Sequence, residues 1–169
     1  MNFVNLPFEI SSLDKNYYIE LSNQHTADYY QHFSSGNNDY TNLEILFLNK
    51  DQHVDSISDL VQKIGLEPSA ISIMRCKENK VISAHTDSEK FNRNTVIAFP
   101  LTPEKNHYAP VYFPDDDQYI PYSHSYMFTT QQTHQLSNNN NLRLNLQIWY
   151  TESIHAMQKL LIDKQLFML

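Results

Sequence analysis

The stretch Val81-Ile-Ser-Ala-His-Thr-Asp-Ser88 decides how the rest of the chain is interpreted. His85 and Asp87 are two residues apart, and on a β-strand that spacing places both side chains on one face. An imidazole nitrogen and a carboxylate oxygen presented together suit Fe(II), Mn(II) or Zn(II). A His-x-Asp tripeptide often arises by chance, so its meaning depends on the residues that surround it.

The surrounding sequence is built from short strand-forming runs. Between residues 70 and 150, runs rich in Ile, Val, Tyr, Phe and Thr are separated by clusters of Asn, Pro and Asp, and prolines stand at the run ends. This texture predicts a mainly β domain, either a sandwich or a jelly roll. The predicted strands are residues 71–76, 80–84, 94–101, 111–113, 118–120, 126–130 and 142–150.

Helices and further strands are expected on either side of this region. Ile57, Leu60, Val61 and Ile64 recur at helical spacing and Gly65 follows them, which predicts a helix over residues 55–65. Residues 151–169 carry an apolar stripe and predict a second helix that packs on the sheet. The remaining predictions are edge strands at 3–8 and 17–21, a helix at 25–33 capped by Ser22, a strand at 43–48, and loops at 34–39 and 138–141.

Length and composition favour one domain over residues 1–169. The chain is 41% apolar and 12% aromatic, which is enough to bury a core. No apolar run approaches the roughly 18 to 20 residues of a membrane helix, and no signal peptide is visible. The single cysteine, Cys76, fits a reducing compartment, so a cytoplasmic location is expected. The net charge of -7 argues against nucleic acid as a partner.

His134 and Arg143 complete the set of candidate site residues. In the run from residue 142 to 150, alternation places the apolar side chains Leu144, Leu146 and Ile148 on one face and the polar side chains Arg143, Asn145 and Gln147 on the other. Either the polar face meets solvent or Arg143 holds an anion in a cavity. His134 stands nine residues before Arg143, at the spacing of a hairpin between neighbouring strands, and is preferred over His124 as a third ligand.

The ordered set of His85-x-Asp87, His134 and Arg143 resembles the Fe(II)/2-oxoglutarate-dependent oxygenase superfamily. The resemblance spans roughly residues 71–150. It includes Arg93-Asn-Thr-Val-Ile-Ala-Phe-Pro-Leu101, which is similar to the strand after the His-x-Asp pair in prolyl-hydroxylase-like and aspartyl/asparaginyl-hydroxylase-like members. It implies a double-stranded β-helix, a jelly-roll and cupin-like fold with flanking helices.

The resemblance also implies a cofactor and a cosubstrate. Fe(II) would be bound by His85, Asp87 and His134, and O₂ would be the second substrate. The cosubstrate 2-oxoglutarate would be held by Arg143 at its distal carboxylate, for which a bidentate guanidinium is well shaped.

Strand parity adds Asn145, Tyr126 and Arg93 as further candidate cofactor contacts. Arg143-x-Asn145 stands where many members carry Arg-x-Ser. This departure leaves Tyr126 or Tyr122 as the candidate hydroxyl partner of the distal carboxylate.

The activity implied is hydroxylation of an amino-acid side chain in a peptide, a protein or a free metabolite, with release of succinate and CO₂. Asp87 favours hydroxylation, because Gly or Ala in its place would leave room for a halide. Two alternatives stay open at this point. One is a non-catalytic jelly-roll binding or structural module, and the other is a cupin-like metal enzyme that does not use 2-oxoglutarate. The substrate and the oligomeric state are not specified by the sequence.

Overall fold

A computed structural model describes residues 2–31, 43–78, 80–87, 93–102, 111–120, 124–139 and 142–167. The predicted loop at 34–39 and the candidate Tyr122 lie outside these ranges. Within them, no helix is both long enough and apolar enough to cross a membrane.

Strands dominate the described structure, and three α-helices accompany them. The strands are β1 (Phe3–Asn5), β2 (Tyr30–Gln31), β3 (Leu43–Phe47), β4 (Ala70–Cys76), β5 (Lys80–His85), β6 (Thr95–Pro100), β7 (Val111–Phe113), β8 (Gln118–Ile120), β9 (Tyr126–Thr129), β10 (His134–Asn139) and β11 (Arg143–Tyr150). The helices are α1 (Ser12–Gln24), α2 (Asp55–Ile64) and α3 (Ile154–Asp163), with single 3-10 turns at Thr26–Asp28 and Lys50–Gln52.

Most of the predicted elements are confirmed. The predicted strands between residues 70 and 150 correspond to β4 to β9 and β11 with ends shifted by one residue at most, and the strand at 43–48 corresponds to β3. The helix predicted at 55–65 is α2, and α3 lies within the helix predicted at 151–169. The strands were found from runs of strand-forming residues between Asn, Pro and Asp clusters, and the helices from their apolar spacing.

Three of the predictions near the N-terminus are wrong. Residues 17–21 are not a strand but part of α1, which begins after Ser11, whose side chain accepts a hydrogen bond from the Asp14 backbone. Tyr18 and Leu21 are buried while Tyr17 is exposed, so only one face of this aromatic run meets the core. Ser22 lies inside α1, and the helix expected at 25–33 is a single 3-10 turn followed by β2. The strand expected at 3–8 is only β1.

The predicted loop at 138–141 is partly wrong. β10 was not predicted as a strand, and it continues to Asn139 because its backbone pairs with β5, where Asn139 lies opposite Lys80. Backbone pairing supports a strand whatever the side chains are, so a polar Asn tract can still belong to a sheet.

The described strands form two antiparallel sheets. The large sheet has the order β1-β9-β6-β11-β4-β3-β2, and the small sheet has the order β5-β10-β7-β8. Across the described part of the chain no strand of one sheet pairs with a strand of the other, so the sheets face each other and do not form a closed barrel.

β11 lies at the centre of the large sheet and separates two cores. Its apolar residues Leu144, Leu146, Ile148 and Tyr150 belong to the core between the large sheet and the helices. Trp149 belongs to the second core, between the two sheets, and Arg143, Asn145 and Gln147 share its face. All residues of β11 are buried. The polar face therefore meets the small sheet and not solvent, which leaves the cavity interpretation of Arg143.

We expect Gly65→Ala to lower the free energy of unfolding by about 1–2 kcal/mol. Gly65 ends α2 in the left-handed conformation, with φ of 76°. An added Cβ would meet only Lys164 Nζ, at 3.6 Å, so the cost is conformational and not steric. Urea denaturation measures it. Gly65→Asn is the matched control with a smaller expected loss, because Asn tolerates this conformation better. An Ala variant as stable as the wild type would contradict the expectation.

Candidate metal centre

The two histidines of the candidate site are brought together by strand register. His85 ends β5 and His134 begins β10, and they are direct partners across this antiparallel pair. Side chains of directly opposed residues point to the same face of the sheet. Their ring centroids are accordingly 4.5 Å apart.

Asp87 joins the two imidazoles just beyond the end of β5. Its backbone N–H donates to the carbonyl of Thr130, 3.0 Å away, which fixes the chain after His85. Its Oδ1 lies 3.5 Å from His85 Nε2 and 4.0 Å from His134 Nε2. One ligand atom from each of the three residues lies within 4.8 Å of the other two, a group able to hold a metal ion.

His134 is held in the tautomer that a metal ligand needs. Its Nδ1 is 2.9 Å from the carbonyl oxygen of Gln132, which can only accept, so Nδ1 carries the proton. The lone pair then lies on Nε2, the nitrogen that points toward Asp87. Burial lowers the pKa of His134 to about 4, against a smaller opposing effect of Asp87. The imidazole is therefore neutral at physiological pH.

Asp87 stays ionised although it is almost completely buried. Burial alone would raise its pKa, but the Arg93 guanidinium, together with His85 and His134, holds the pKa below its usual range. Arg93 Nη2 donates to Asp87 Oδ2, so the other carboxylate oxygen is the one that faces the histidines.

Arg93 is placed differently from the sequence-based expectation. Its described side-chain contacts are with protein groups: Asp87, the Gln147 side chain, whose Oε1 lies 3.4 Å from Nη1, and the Trp149 ring, whose centroid lies 4.2 Å from the guanidinium carbon. Its role as a cofactor contact stays a prediction, although Arg93 does line the cavity described next.

A cavity between the two sheets connects the triad with Arg143. Its empty volume is about 520 Å³, counting the solvent space at its open mouth. The polar side chains along it are His85, Asp87, Arg93, Tyr126, His134, Arg143, Asn145 and Gln147, and the apolar ones include Leu43, Met74, Ile82, Val111 and Phe128.

Arg143 and Tyr126 form the other polar cluster of this cavity. Arg143 is 3% exposed, and its Nη2 donates to the Tyr126 hydroxyl at 3.1 Å. Arg143 precedes Gln147 by four residues on β11, so their Cα atoms are about 13 Å apart along the strand. Asn145, between them, has a buried Oδ1 that makes no hydrogen bond with the described residues. A buried guanidinium and a phenol facing a cavity suit a carboxylate-bearing ligand, whereas the Asn145 Oδ1 is an acceptor and needs a donor.

The structure distinguishes between His124 and His134, the two candidates for the third metal ligand. His124 is exposed and takes no part in the described cluster, whereas His134 is buried within it. Two contributors were not predicted from the sequence: Trp149, beneath Arg93, and the Gln132 carbonyl, which orients His134. Trp149 could have been found from its parity with Arg143, but nothing in the sequence indicates the carbonyl.

No protein-family model matches the sequence, and no curated protein matches it significantly. Solved structures do match. A prolyl hydroxylase from Trichoplax adhaerens, in complex with a hypoxia inducible factor oxygen degradation domain peptide fragment, is 12% identical with a TM-score of 0.70, over 94% of this chain and 86% of that one. The viral collagen prolyl hydroxylase of Paramecium bursaria Chlorella virus-1, in its 2OG complex, is 13% identical with a TM-score of 0.63, over 88% and 94%. A Pseudomonas putida prolyl-4-hydroxylase is 13% identical with a TM-score of 0.60, over 88% and 91%.

The fold of this chain is therefore that of the prolyl hydroxylases. The predicted resemblance to the Fe(II)/2-oxoglutarate oxygenase superfamily, with its jelly-roll architecture, is confirmed as a likeness of fold. At identities of 12–13% the likeness establishes the fold alone, and the activity has to be argued from the site.

Without metal, we expect the free energy of unfolding to decrease as the pH falls from 6.5 to about 4. In this window the unfolded chain takes up a proton that buried His134 does not, so each pH unit costs up to about 1.4 kcal/mol. Urea denaturation with a chelator present measures the slope, and His134→Gln should reduce it. His155→Gln, at an exposed position of α3, is the control. A His134→Gln variant with the full wild-type slope would contradict the assignment.

Proposed function

We propose that this protein is an Fe(II)- and 2-oxoglutarate-dependent dioxygenase that hydroxylates an amino-acid side chain. One observation carries the proposal: His85, Asp87 and His134 converge on one point of a cavity that also contains the buried guanidinium of Arg143. A metal-ligand set and an anion site in one enclosed space are what such a reaction needs from a protein.

The three candidate ligands fit Fe(II). Two imidazoles and one carboxylate are the ligand set typical of non-haem Fe(II) oxygenases. When bound, the iron and 2-oxoglutarate would supply the oxidation: O₂ is reduced, 2-oxoglutarate loses CO₂ to become succinate, and one oxygen atom enters a C–H bond. His85, Asp87 and His134 would fix where that chemistry occurs.

The anion site fits the distal carboxylate of 2-oxoglutarate. Arg143 offers a planar fork of N–H donors, and the Tyr126 hydroxyl at 3.1 Å is the candidate hydroxyl partner that the sequence left open between two tyrosines. The unpaired atom of Asn145 is Oδ1, an acceptor, so it would not bind the carboxylate directly. Apolar walls between this cluster and the metal ligands would limit the entry of water.

The energetic cost of the site argues against a non-catalytic jelly-roll module. Asp87, Arg93 and Arg143 are each at most 6% exposed. Burying ionised groups costs several kcal/mol each, and apolar side chains of similar volume would stabilise the fold at least as well. The arrangement is therefore better explained by binding and catalysis than by stability. Arg143 likewise favours 2-oxoglutarate use over a cupin-like enzyme without it.

The substrate proposed is an amino-acid side chain in a peptide, a protein or a free metabolite. The Trichoplax adhaerens prolyl hydroxylase holds a peptide fragment, which supports a peptide as one candidate for this chain. Screening amino acids and peptides for stimulated succinate production would choose among these classes.

Anaerobic addition of Fe(II) and 2-oxoglutarate should produce a weak visible metal-to-ligand charge-transfer band. His85→Ala and His134→Ala should each lose Fe(II) binding while keeping the wild-type circular dichroism spectrum, because each removes one ligand. His124→Ala, which changes an exposed histidine outside the cluster, should bind Fe(II) as the wild type does. A well-folded wild type without the band would refute the proposed function.

Arg143→Ala should retain the metal but weaken 2-oxoglutarate binding by about 2–5 kcal/mol, as expected when a buried charge pair loses one partner. Tyr126→Phe removes only a hydroxyl and should cost about 0.5–1.5 kcal/mol. Titration of Mn(II)-loaded protein with 2-oxoglutarate by calorimetry measures both affinities. If Arg143→Ala bound 2-oxoglutarate as tightly as the wild type, Arg143 would have no role in the anion site.

A further inference from the structure

We propose that Arg93 is a positioning residue that reserves one oxygen of Asp87 for the metal, and that Trp149 is the platform that holds Arg93 in place. The inference rests on the proposed function, because it concerns how Asp87 would bind the metal ion. It assigns Arg93 a task different from direct contact with cofactor or substrate.

The two oxygens of Asp87 have separate partners. Oδ2 accepts from Arg93 Nη2, whereas Oδ1 faces the Nε2 atoms of His85 and His134 at 3.5 and 4.0 Å. A free carboxylate can bind a metal ion with one oxygen or with both. Because Arg93 occupies Oδ2, only Oδ1 is available. This keeps Asp87 to one coordination position and leaves the others for a chelating ligand and O₂.

Arg93 is held through both terminal nitrogens, its guanidinium face and its backbone carbonyl, while its buried Nε makes no hydrogen bond with the described residues. Nη1 donates to Gln147 Oε1 at 3.4 Å, and the guanidinium lies over the Trp149 ring at 4.2 Å. The backbone carbonyl of Arg93 accepts from the Thr130 hydroxyl at 2.7 Å and from Gln131 Nε2 at 3.0 Å. Because Arg93 is only 3% exposed and makes these contacts, the protein and not solvent sets the position of its Nη2.

The platform beneath Arg93 continues to the surface. Phe47 packs edge-on against Trp149, with ring centroids 5.4 Å apart, and Phe47 is 45% exposed. Ala70, which lies opposite Trp149 on the intervening strand β4, is small enough to allow this contact across the strand. Phe47, Trp149, Arg93 and Asp87 thus form a continuous stack from the protein surface to the metal ligand.

Lysine should not be able to replace Arg93. The two terminal nitrogens of the guanidinium serve different partners while its flat face lies on the indole. A lysine ammonium is a point charge without a flat face and cannot make this set of contacts. Arg93→Lys therefore keeps the charge and removes the geometry, whereas Arg93→Met removes both.

Co(II) is a suitable probe, because its visible spectrum reports coordination number without any turnover. We expect both Arg93→Lys and Arg93→Met to change the d–d spectrum of the Co(II)-loaded protein, because Asp87 gains the freedom to bind with both oxygens. The affinity for Co(II) should fall about 10–100-fold in Arg93→Met, the usual range for a lost partner of a metal ligand. The affinity of the Co(II)-loaded protein for 2-oxoglutarate should fall as well, because the second oxygen of Asp87 would compete for a position that a chelating ligand needs. Arg93→Lys should be more stable to unfolding than Arg93→Met, but its Co(II) spectrum should still differ from that of the wild type.

Arg75→Met is a matched control on the opposite face of the large sheet. Arg75 also combines a buried ion pair, with Glu44 at 2.5 Å, and a stacking contact, over Tyr29 at 3.8 Å. It lines no part of the cavity. This variant should lose stability yet keep the wild-type Co(II) spectrum and 2-oxoglutarate affinity.

The outcomes separate this inference from the proposed function. A wild type that binds no Co(II) and no 2-oxoglutarate would refute the proposed function itself. A wild type that binds both, with Arg93→Lys indistinguishable from it in spectrum and affinity, would overturn the positioning role, since charge alone would then suffice. If Arg93→Met does not fold, the Arg93→Lys spectrum decides the matter. A changed spectrum in Arg93→Lys with an unchanged one in Arg75→Met supports the role.

Discussion

The rest of the structure depends on the alternation of β11 between two buried faces. Each residue of β11 is buried, so a side chain placed on the wrong face could not be exposed to solvent instead. One face carries the apolar residues that meet the helices, and the other carries Arg143, Asn145 and Gln147 toward the small sheet. A shift of one residue would exchange the faces and place the guanidinium in the apolar core. The register of β11 with β4 and β6 therefore fixes both the packing of the helices and the position of the anion site.

The candidate site also buries ionisable side chains, and pairwise contacts with neighbouring groups stabilise them. Asp87 is paired with Arg93, and His134 is kept neutral by burial, while its bond to the Gln132 carbonyl sets the tautomer. The outer face of the large sheet carries a comparable group, in which Arg75 and Lys77 bind Glu44, but that group is not part of the cavity. The difference is one of location: only the inner pair lies beside histidines that share its space. A buried ion pair can therefore serve packing on one face of a sheet and belong to a candidate site on the other.

Sequence reasoning was sufficient wherever a residue lies on an element with a strict period. His85 and Asp87 share a spacing of two and Arg143 lies on a predicted strand, so parity indicated their directions, and α2 was found from its apolar spacing. His134 was chosen only from its spacing to Arg143, because β10 was not predicted. Sequence reasoning failed for α1, where an aromatic run around Tyr18 has the composition of a strand although only one of its faces is buried. It could not find the partner of Arg93, because the segment before β6 has no period that fixes its path. Strand order was also beyond reach, because sheet neighbours such as β1 and β9 are far apart in the sequence and no local pattern connects them.

Asp87 is attached to both sheets, and this affects how a bound ion would contribute to the free energy of folding. The two histidines belong to strands of the small sheet. Asp87 is joined to the large-sheet side through its bond to the Thr130 carbonyl and through Arg93, which stands two residues before β6. An ion shared by these three ligands would therefore be a cross-link between two layers that share no strand pairing among the described residues. Its binding free energy would oppose separation of the layers, so part of the free energy of metal binding would become free energy of folding.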